Sequence, residues 1–481
     1  MTIRAKGGLL LAAATLALSG CANFAPDHVR PELSSAPAYG GDLAPDGSVT
    51  ASQLSYRDWF TDPRLDALIA SALANNRDLV AATARIEQAR AQYRIQRSDR
   101  LPGVVADGSA TRTRSGTANL GGPDSASNTF NRYDVGVGVT GFELDFWGRV
   151  ANLSEAARAQ YLSTVAAQRS FYLSLVRDTA NTYFAILETE EQIALAEATA
   201  QSRREGLRIA KRRLDAGVTS ALPFRQAETL LTQAEQQLAS EKLAAAQLRN
   251  QLAVLVGGTI PADLPEGRAL TQQLDAGRLD AGLPSDLLLA RPDIVAAEEQ
   301  LRVARANIGA ARAAFFPTIS LTGRAGFGSS DLGDLFSSDN LGWSFGPSIS
   351  LPIFDFGARE ANLDFARALE VEEVANYDLA VQNAFREVAD ALAARRYLAE
   401  QVATLDRAVT AQEKIARIAR LRYREGVADY LEVLDAERNL FEARQTLIAT
   451  RRAELQNRAT LFVALGGGFG ALPADEGPLG D

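Results

Sequence analysis

Two hydrophobic periods run along this chain, one helical and one alternating, and they occur twice in the same order. After Asp62-Pro63, the residues Leu65, Leu68, Ile69 and Leu73 recur at helical spacing, and a second helical stretch from about Asp78 to Arg97 stops before Pro102. Between Pro102 and Phe146 the helical period disappears. Val135, Val137 and Val139 alternate with Gly136, Gly138 and Thr140, then the apolar parity moves to Phe142, Leu144 and Phe146. That shift predicts a bulge, or the end of the membrane-facing part of a strand. After Gly148 a helical pattern continues to about Asp215 without proline, its first internal glycine being Gly206. About 65 residues at 1.5 Å each make roughly 100 Å of helix. A shorter helix follows, about Ser220 to Val256.

The second pass is cleaner. Ile319, Leu321, Ala325 and Phe327 alternate with Ser320, Thr322, Arg324 and Gly326, and Trp343, Phe345, Ile349, Leu351 and Ile353 alternate with small or polar residues. Strands of this length and pattern suit a sheet with lipid on one face and water on the other. A soluble sheet with one wet face uses the same alternation. The aromatics near the strand ends (Tyr133, Phe142, Trp147, Trp343, Phe354) favour the membrane. A long helix then runs from Ala358 to about Glu425, with Val381, Phe385, Val388, Leu392, Val402, Leu405 and Val409 holding one apolar face, and a shorter one covers about Asp429 to Leu465.

This is an internal duplication. Gly217, Ala227-Glu228 and Gly257 return as Gly426, Ala436-Glu437 and Gly466, each 209 positions on (426 − 217, 436 − 227, 466 − 257). Ala89-Arg90-Ala91 returns as Ala304-Arg305-Ala306, now 215 positions on (304 − 89), so an insertion falls among the strand-like segments. The organisation expected is a signal peptide at 1–20 and an extended, Pro-rich arm at 21–60. The first repeat follows at 61–258, with strands at about 104–114 and 133–146 and a helical hairpin at about 149–256. A linker or equatorial region at 259–292 leads to the second repeat at 293–468, with strands at about 318–328 and 342–354 and a hairpin at about 358–465. A flexible tail covers 469–481.

Composition narrows the function. The net charge of −9 disfavours nucleic acid or anionic membrane as a partner recruited by bulk charge. One His and one Cys in 481 residues leave no His/Cys metal site, Ser-His-Asp triad or disulfide. Asp, Glu and Lys remain for catalysis, but acids spread over helix faces do not make the cleft a carboxylate hydrolase needs, so no enzyme and no cofactor is expected. Arg4 and Lys6, an apolar run from Gly7 to Leu18, then Leu18-Ser19-Gly20-Cys21 read as a secretory signal ending in a lipoprotein cleavage site. The sole cysteine, Cys21, becomes the acylated first residue, anchored to lipid.

Four candidate strands cannot close a membrane barrel, since about eight is the practical minimum and open edges in lipid leave backbone groups unsatisfied. Several copies must therefore share one barrel; strand arithmetic allows two or three. The long helices would continue it into the periplasm as a tube, and a tube open at both ends is a conduit. A periplasmic scaffold lipoprotein with helical hairpins and soluble sheets is the alternative.

Trp59-Phe60-Thr61-Asp62-Pro63 with Leu65 through Asp78-Leu79, Leu289-Ala290-Arg291-Pro292-Asp293-Ile294 and Phe315-Phe316-Pro317-Thr318-Ile319-Ser320-Leu321 resemble the outer membrane factor family. The likeness is to TolC-like, NodT-type lipoprotein channels of tripartite efflux systems, and runs in order from Cys21 to about Gly468. It implies an α+β membrane protein: a homotrimer with a shared twelve-stranded antiparallel barrel, continued by a long helical periplasmic barrel. It also implies passive export of small molecules such as drugs or toxic compounds, with a periplasmic adaptor and an inner-membrane pump as partners. Ala22 after Cys21 points, in the family sense, to the outer membrane. By the same resemblance Gly217, Val218, Thr219 and Gly426, Val427 are the periplasmic tips where adaptor hairpins dock. Glu432 and Asp435, three apart on one helix face, form acidic rings at the periplasmic gate, and Tyr423 helps hold the closed state by hydrogen bonding to a neighbouring helix. Two departures stand out. Ala428 replaces a basic gate residue of some relatives, and Pro223 stands at the first-repeat counterpart of Glu432 (432 − 223 = 209).

Overall fold

The computed structural model describes residues 23–31, 49–50, 54–114, 129–273, 279–280 and 291–468. The signal segment, Cys21 and the C-terminal tail lie outside the described residues, as do most of the N-terminal arm and part of the linker. The helices are α1 (Tyr56–Trp59), α2 (Pro63–Asn75), α3 (Arg77–Ser98), α4 (Arg149–Asp215), α5 (Ala221–Leu255), α6 (Pro292–Ala313), α7 (Ala358–Arg424) and α8 (Tyr430–Ala464). The strands of the main sheet are β1 (Val104–Arg114), β2 (Thr129–Glu143), β3 (Thr318–Ser329) and β4 (Leu341–Ser350). Val49–Thr50 and Leu279–Asp280 form a separate two-residue parallel pair. The arm is thus not wholly extended: Ser55 and Asp58 close a reciprocal capping box at the start of α1.

The chain divides into two compact units, Met1–Glu32, Arg85–Val165 and Ala296–Tyr377 in one, and Leu33–Ala84, Ala166–Val295 and Asp378–Asp481 in the other. The first holds the sheet, antiparallel in the order β1-β2-β3-β4. Its register sorts most of the side chains by polarity. On one face lie Val104, Ala106, Val135, Val137, Val139, Ala325, Phe327, Trp343, Phe345 and Ile349; on the other lie Asp107, Ser109, Asp134, Gly136, Arg324, Ser344 and Ser348. The apolar face is bare, with Trp343 81%, Phe345 66% and Ile349 71% exposed. The register shift between Val139 and Phe142 is where the apolar parity changes, with Gly141 at φ +67°. β2 begins at Thr129 and ends at Glu143, earlier than about 133–146, because the chain turns into α4 past this bulge. β4 stops at Ser350 rather than 354, just before Pro352, which has no N–H to give a ladder.

Residues 24–30 strap onto α6 within this unit. Phe24 stacks on Phe316 (4.7 Å between rings), which also stacks on Trp147 (4.9 Å). Arg305 and Arg312 donate to the carbonyls of Val29 and Phe24, and buried Glu298 takes His28 at 3.1 Å and Arg30 at 3.0 Å. A Cβ on Gly309 would lie 2.8 Å from Ala25, so only glycine lets the strap this close.

In the second unit α2 is the keystone. Leu65, Leu68, Ile69 and Ala72 are fully buried against Val176, Ala180 and Tyr183 of α4, Leu252 of α5, Val388 and Leu392 of α7, and Leu455 and Phe462 of α8. Asp62 caps α2 by accepting from the Arg64 and Leu65 amides, and its other oxygen accepts from Tyr183 Oη (2.9 Å), the Arg268 amide (3.0 Å) and Gln273. Arg291, also buried, donates to Glu387 of α7 (2.8 Å), Asp293 and the Ala464 carbonyl at the end of α8. Buried alanines on α4 (Ala196, Ala200, Ala210) and α5 (Ala227, Ala234, Ala245) keep side chains small along these helices, and Val409, Ala416 and Ala419 of α7 meet Val433, Ala436 and Leu440 of α8.

Candidate functional site at the hairpin tips

Each long helix ends in the same glycine cap. Gly217 has φ +70° and Gly426 φ +75°, a conformation only glycine adopts without strain. The Gly217 and Val218 amides return to the Leu214 and Arg213 carbonyls; the Gly426 and Val427 amides return to Tyr423 and Arg422. These paired bonds satisfy helix-end carbonyls and reverse the chain within a few residues. Val218 and Val427 are left exposed at the two tips.

Glu432 and Asp435 stand on the outer side of the first turns of α8, whose Val433, Leu434 and Ala436 are buried. Each carboxylate has an arginine of its own chain nearby: Glu432 Oε1 is 3.5 Å from Arg422 and Asp435 Oδ1 is 3.1 Å from Arg438. Both pairs are solvent-exposed, so each contributes at most about 1 kcal/mol and opens readily.

Tyr423 lies at the end of α7, facing α4. Its ring meets Tyr430 at 5.0 Å and the Arg213 guanidinium of α4 at 5.0 Å. Tyr423 thus ties the end of α7 to the end of α4. Beside it Tyr430 packs against α4 so closely that a Cβ on Gly206 would lie 2.7 Å from Tyr430 Oη. Burial pushes the Tyr430 phenol up to about 12, helped by nearby Glu437. A cavity of about 530 Å³ opens beside this contact, with Ile209, Leu421 and Val433 in its wall and Arg213, Arg417 and Arg420 around it. Arg420 is held 2.7 Å from Glu437.

The structure therefore brings Tyr423, Tyr430, Arg213 and Gly206 together, and pairs Glu432 and Asp435 with Arg422 and Arg438 instead. Arg213, Tyr430 and Gly206 were not singled out as functional from sequence. The lone glycine inside a 67-residue helix was the available signal, since a glycine there costs helix stability unless something needs the space.

The sequence matches the family described as outer membrane efflux protein over residues 68–258 and 283–467. It is 43% identical over 462 residues to the solvent efflux pump outer membrane protein SrpC of Pseudomonas putida, covering 95% of this chain and 97% of that one. It is 40% identical over 458 residues to the cation efflux system protein CusC of Escherichia coli strain K12, covering 94% and 97%. The fold superposes on the open state of the Neisseria gonorrhoeae MtrE outer membrane channel with a TM-score of 0.84 at 39% identity, over 93% of this chain and 98% of that one. The chain belongs to the outer membrane efflux protein family. It is an efflux channel of the outer membrane with its helical hairpins on the periplasmic side, and not an enzyme.

Proposed function

We propose that three copies of this chain close one twelve-stranded barrel, three sheets of four strands, and that the helical hairpins of the trimer enclose a periplasmic duct. The observation that carries this reading is the pair of sheet edges. Among the described residues β1 and β4 each pair on one side only, and the sheet has one largely apolar, exposed face. Lipid would leave those edges unsatisfied at several kcal/mol per group, and a neighbour's edge strand supplies the missing partners.

The signal peptide at 1–20 is removed and Cys21 is acylated, adding a lipid anchor to the barrel. The exposed tips at Gly217, Val218, Thr219 and at Gly426, Val427 receive a periplasmic adaptor protein, which links the channel to an inner-membrane pump. Solvent-facing valines on tightly capped turns support a docking role there. Transport through the channel is passive. Relatives named for solvent, antibiotic and cation efflux are all 40 to 43% identical to this chain, so overall likeness assigns no cargo, and choice of cargo belongs to the pump.

Glu432 and Asp435 from three copies form carboxylate rings at the narrow periplasmic end, where they favour cations and repel anions. The test is the reversal potential under a salt gradient in planar bilayers. The wild-type channel is cation-biased, and Glu432→Gln with Asp435→Asn removes most of that bias. Unchanged selectivity and gating in the double variant would place the constriction elsewhere.

A further inference from the structure

The duplication in the sequence is also a duplication of contacts. α4 and α7 are both 67 residues long, α5 and α8 both 35, and all their ends coincide at one offset (358 − 149, 424 − 215, 430 − 221 and 464 − 255 are each 209). In the first hairpin Lys242 meets Glu197 at 3.0 Å, and in the second Arg451 meets Asp406 at 3.1 Å, the same two positions one repeat on (451 − 242, 406 − 197). Arg204 and Glu235, 2.7 Å apart, return as Glu413 and Arg444, 2.6 Å apart, with the charges exchanged (413 − 204, 444 − 235). The two hairpins are one unit of structure used twice.

α4 of the first hairpin is fastened to α8 of the second. Gln192 donates to the Gln445 carbonyl at 3.1 Å, Gln456 donates to the Asn181 carbonyl at 3.0 Å, and Glu188 pairs with Arg452 at 2.6 Å. In a closed ring of copies, the step that carries the first hairpin onto the second also carries the second onto the first hairpin of the next copy. It converts the contact of α4 with α8 into one of α7 with the next copy's α5. Gln192 and Gln456 then become Gln401 and Gln247, so glutamine stands again at both donor positions (192 + 209, 456 − 209). Both of these glutamines are exposed in the single chain. Glu188 and Arg452 become Tyr397 and Leu243 (188 + 209, 452 − 209). Those two side chains are 52% and 60% exposed.

We propose that α7 of one copy and α5 of the next form the helical seam between copies, in the register set by the repeat. Gln401 donates to the Gln236 carbonyl, Gln247 donates to the Asp390 carbonyl, and Tyr397 packs on Leu243. This rests on the shared assembly proposed above and specifies the surface through which its helical part is joined. The ion pair that fastens the hairpins inside the chain is replaced at the seam by an apolar pair. Burying two charges on assembly would require their desolvation, whereas covering Tyr397 with Leu243 removes apolar surface from water.

The experiment places Leu243→Cys and Tyr397→Cys in the full-length protein and treats native membranes with a short thiol-specific crosslinker, followed by denaturing electrophoresis. Covalent dimers and trimers are expected at about fivefold or more the yield of Leu243→Cys with Thr404→Cys, whose α7 position lies two turns, about 10 Å, further along. Equal yields, or a larger one from Thr404→Cys, overturn the register. A second set of variants reinstates the ion pair at the seam. Tyr397→Glu or Leu243→Arg alone should lower the share of trimer in mild detergent, and the two together should restore it. No loss with either change, or loss without restoration, overturns the proposal. Cysteines at Ala106 and Phe345, on the edge strands β1 and β4, are treated alongside. If they join copies while the pair at Leu243 and Tyr397 does not, the seam fails and the shared barrel stands. If neither pair joins copies, the assembly itself fails, and the seam with it.

Discussion

A single missing side chain shapes the hairpin tip. At Gly206 any Cβ meets Tyr430 Oη at 2.7 Å, so the close approach of α8 to α4 depends on glycine in the middle of a long helix. Alanine there gains up to about 1 kcal/mol of helix propensity but must displace a half-buried ring, at about 1–3 kcal/mol. Gly206→Ala is therefore expected to loosen the tip, seen as faster amide exchange around residue 206. In a Tyr430→Phe background, which removes the obstructing oxygen, the same change should slow exchange; equal effects in both backgrounds would contradict the packing described. Tyr430 also carries a pH signature. Its phenol is pushed up to about 12 in the folded protein and ionises near 10 when unfolded. The unfolded state loses that proton first, so stability falls as pH rises from about 10 to 12. The difference in absorbance at 295 nm between wild type and Tyr430→Phe should titrate near 12 in the native protein and near 10 in denaturant. A native midpoint near 10 would mean that the ring is solvent-exposed. Spacing alone places Glu432 and Asp435 on one helix face, and the gate role proposed for them rests on the family resemblance. The ring cluster around Tyr423 was not legible, because Arg213 and Tyr423 meet only after both repeats have folded.

Among the elements, those that repeat a local pattern were the most legible. Alternation identified β2, β3 and β4, and the change of apolar parity after Val139 marked the bulge that the register shift and Gly141 now explain. Helical period and the absence of proline identified α4 and α7, each 67 residues long. What sequence did not reveal is how the elements are tied together. Asp62 read as part of a family signature; in the structure it is a buried hub that caps α2 and gathers Tyr183, Arg268 and Gln273. Arg291, from the second signature, plays a comparable part between α7 and α8. Asp62→Ala should cost at least about 4 kcal/mol, the sum of a lost cap at about 1 kcal/mol and of three donors left unpaired at no less than about 1 kcal/mol each. Trp59 lies in the same core cluster, so its fluorescence should report an earlier urea midpoint. A shift equivalent to less than 1 kcal/mol would show that water replaces the carboxylate. The strap of residues 24–30 on α6 was equally invisible, since Phe24 and Phe316, or His28 and Glu298, are linked only by tertiary structure.

For the whole molecule, the decisive fact is that, among the described residues, the main sheet has four strands and two open edges. No helix among the described residues is long and apolar enough to cross a membrane, so membrane insertion of the body of the protein falls to the sheet. The apolar face supplies contact with lipid, the polar face supplies a wet lining, and the edges require other copies. Closure can be tested where it would occur, between β1 of one copy and β4 of the next. Cysteines placed at Ala106 and Phe345, on these two strands and on the same face, can be joined by a short bifunctional crosslinker in native membranes and resolved by denaturing electrophoresis. The account predicts covalent dimers and trimers with nothing larger, and their absence when either cysteine is present alone. Products that stay monomeric at full crosslinker reaction would contradict a barrel shared between copies.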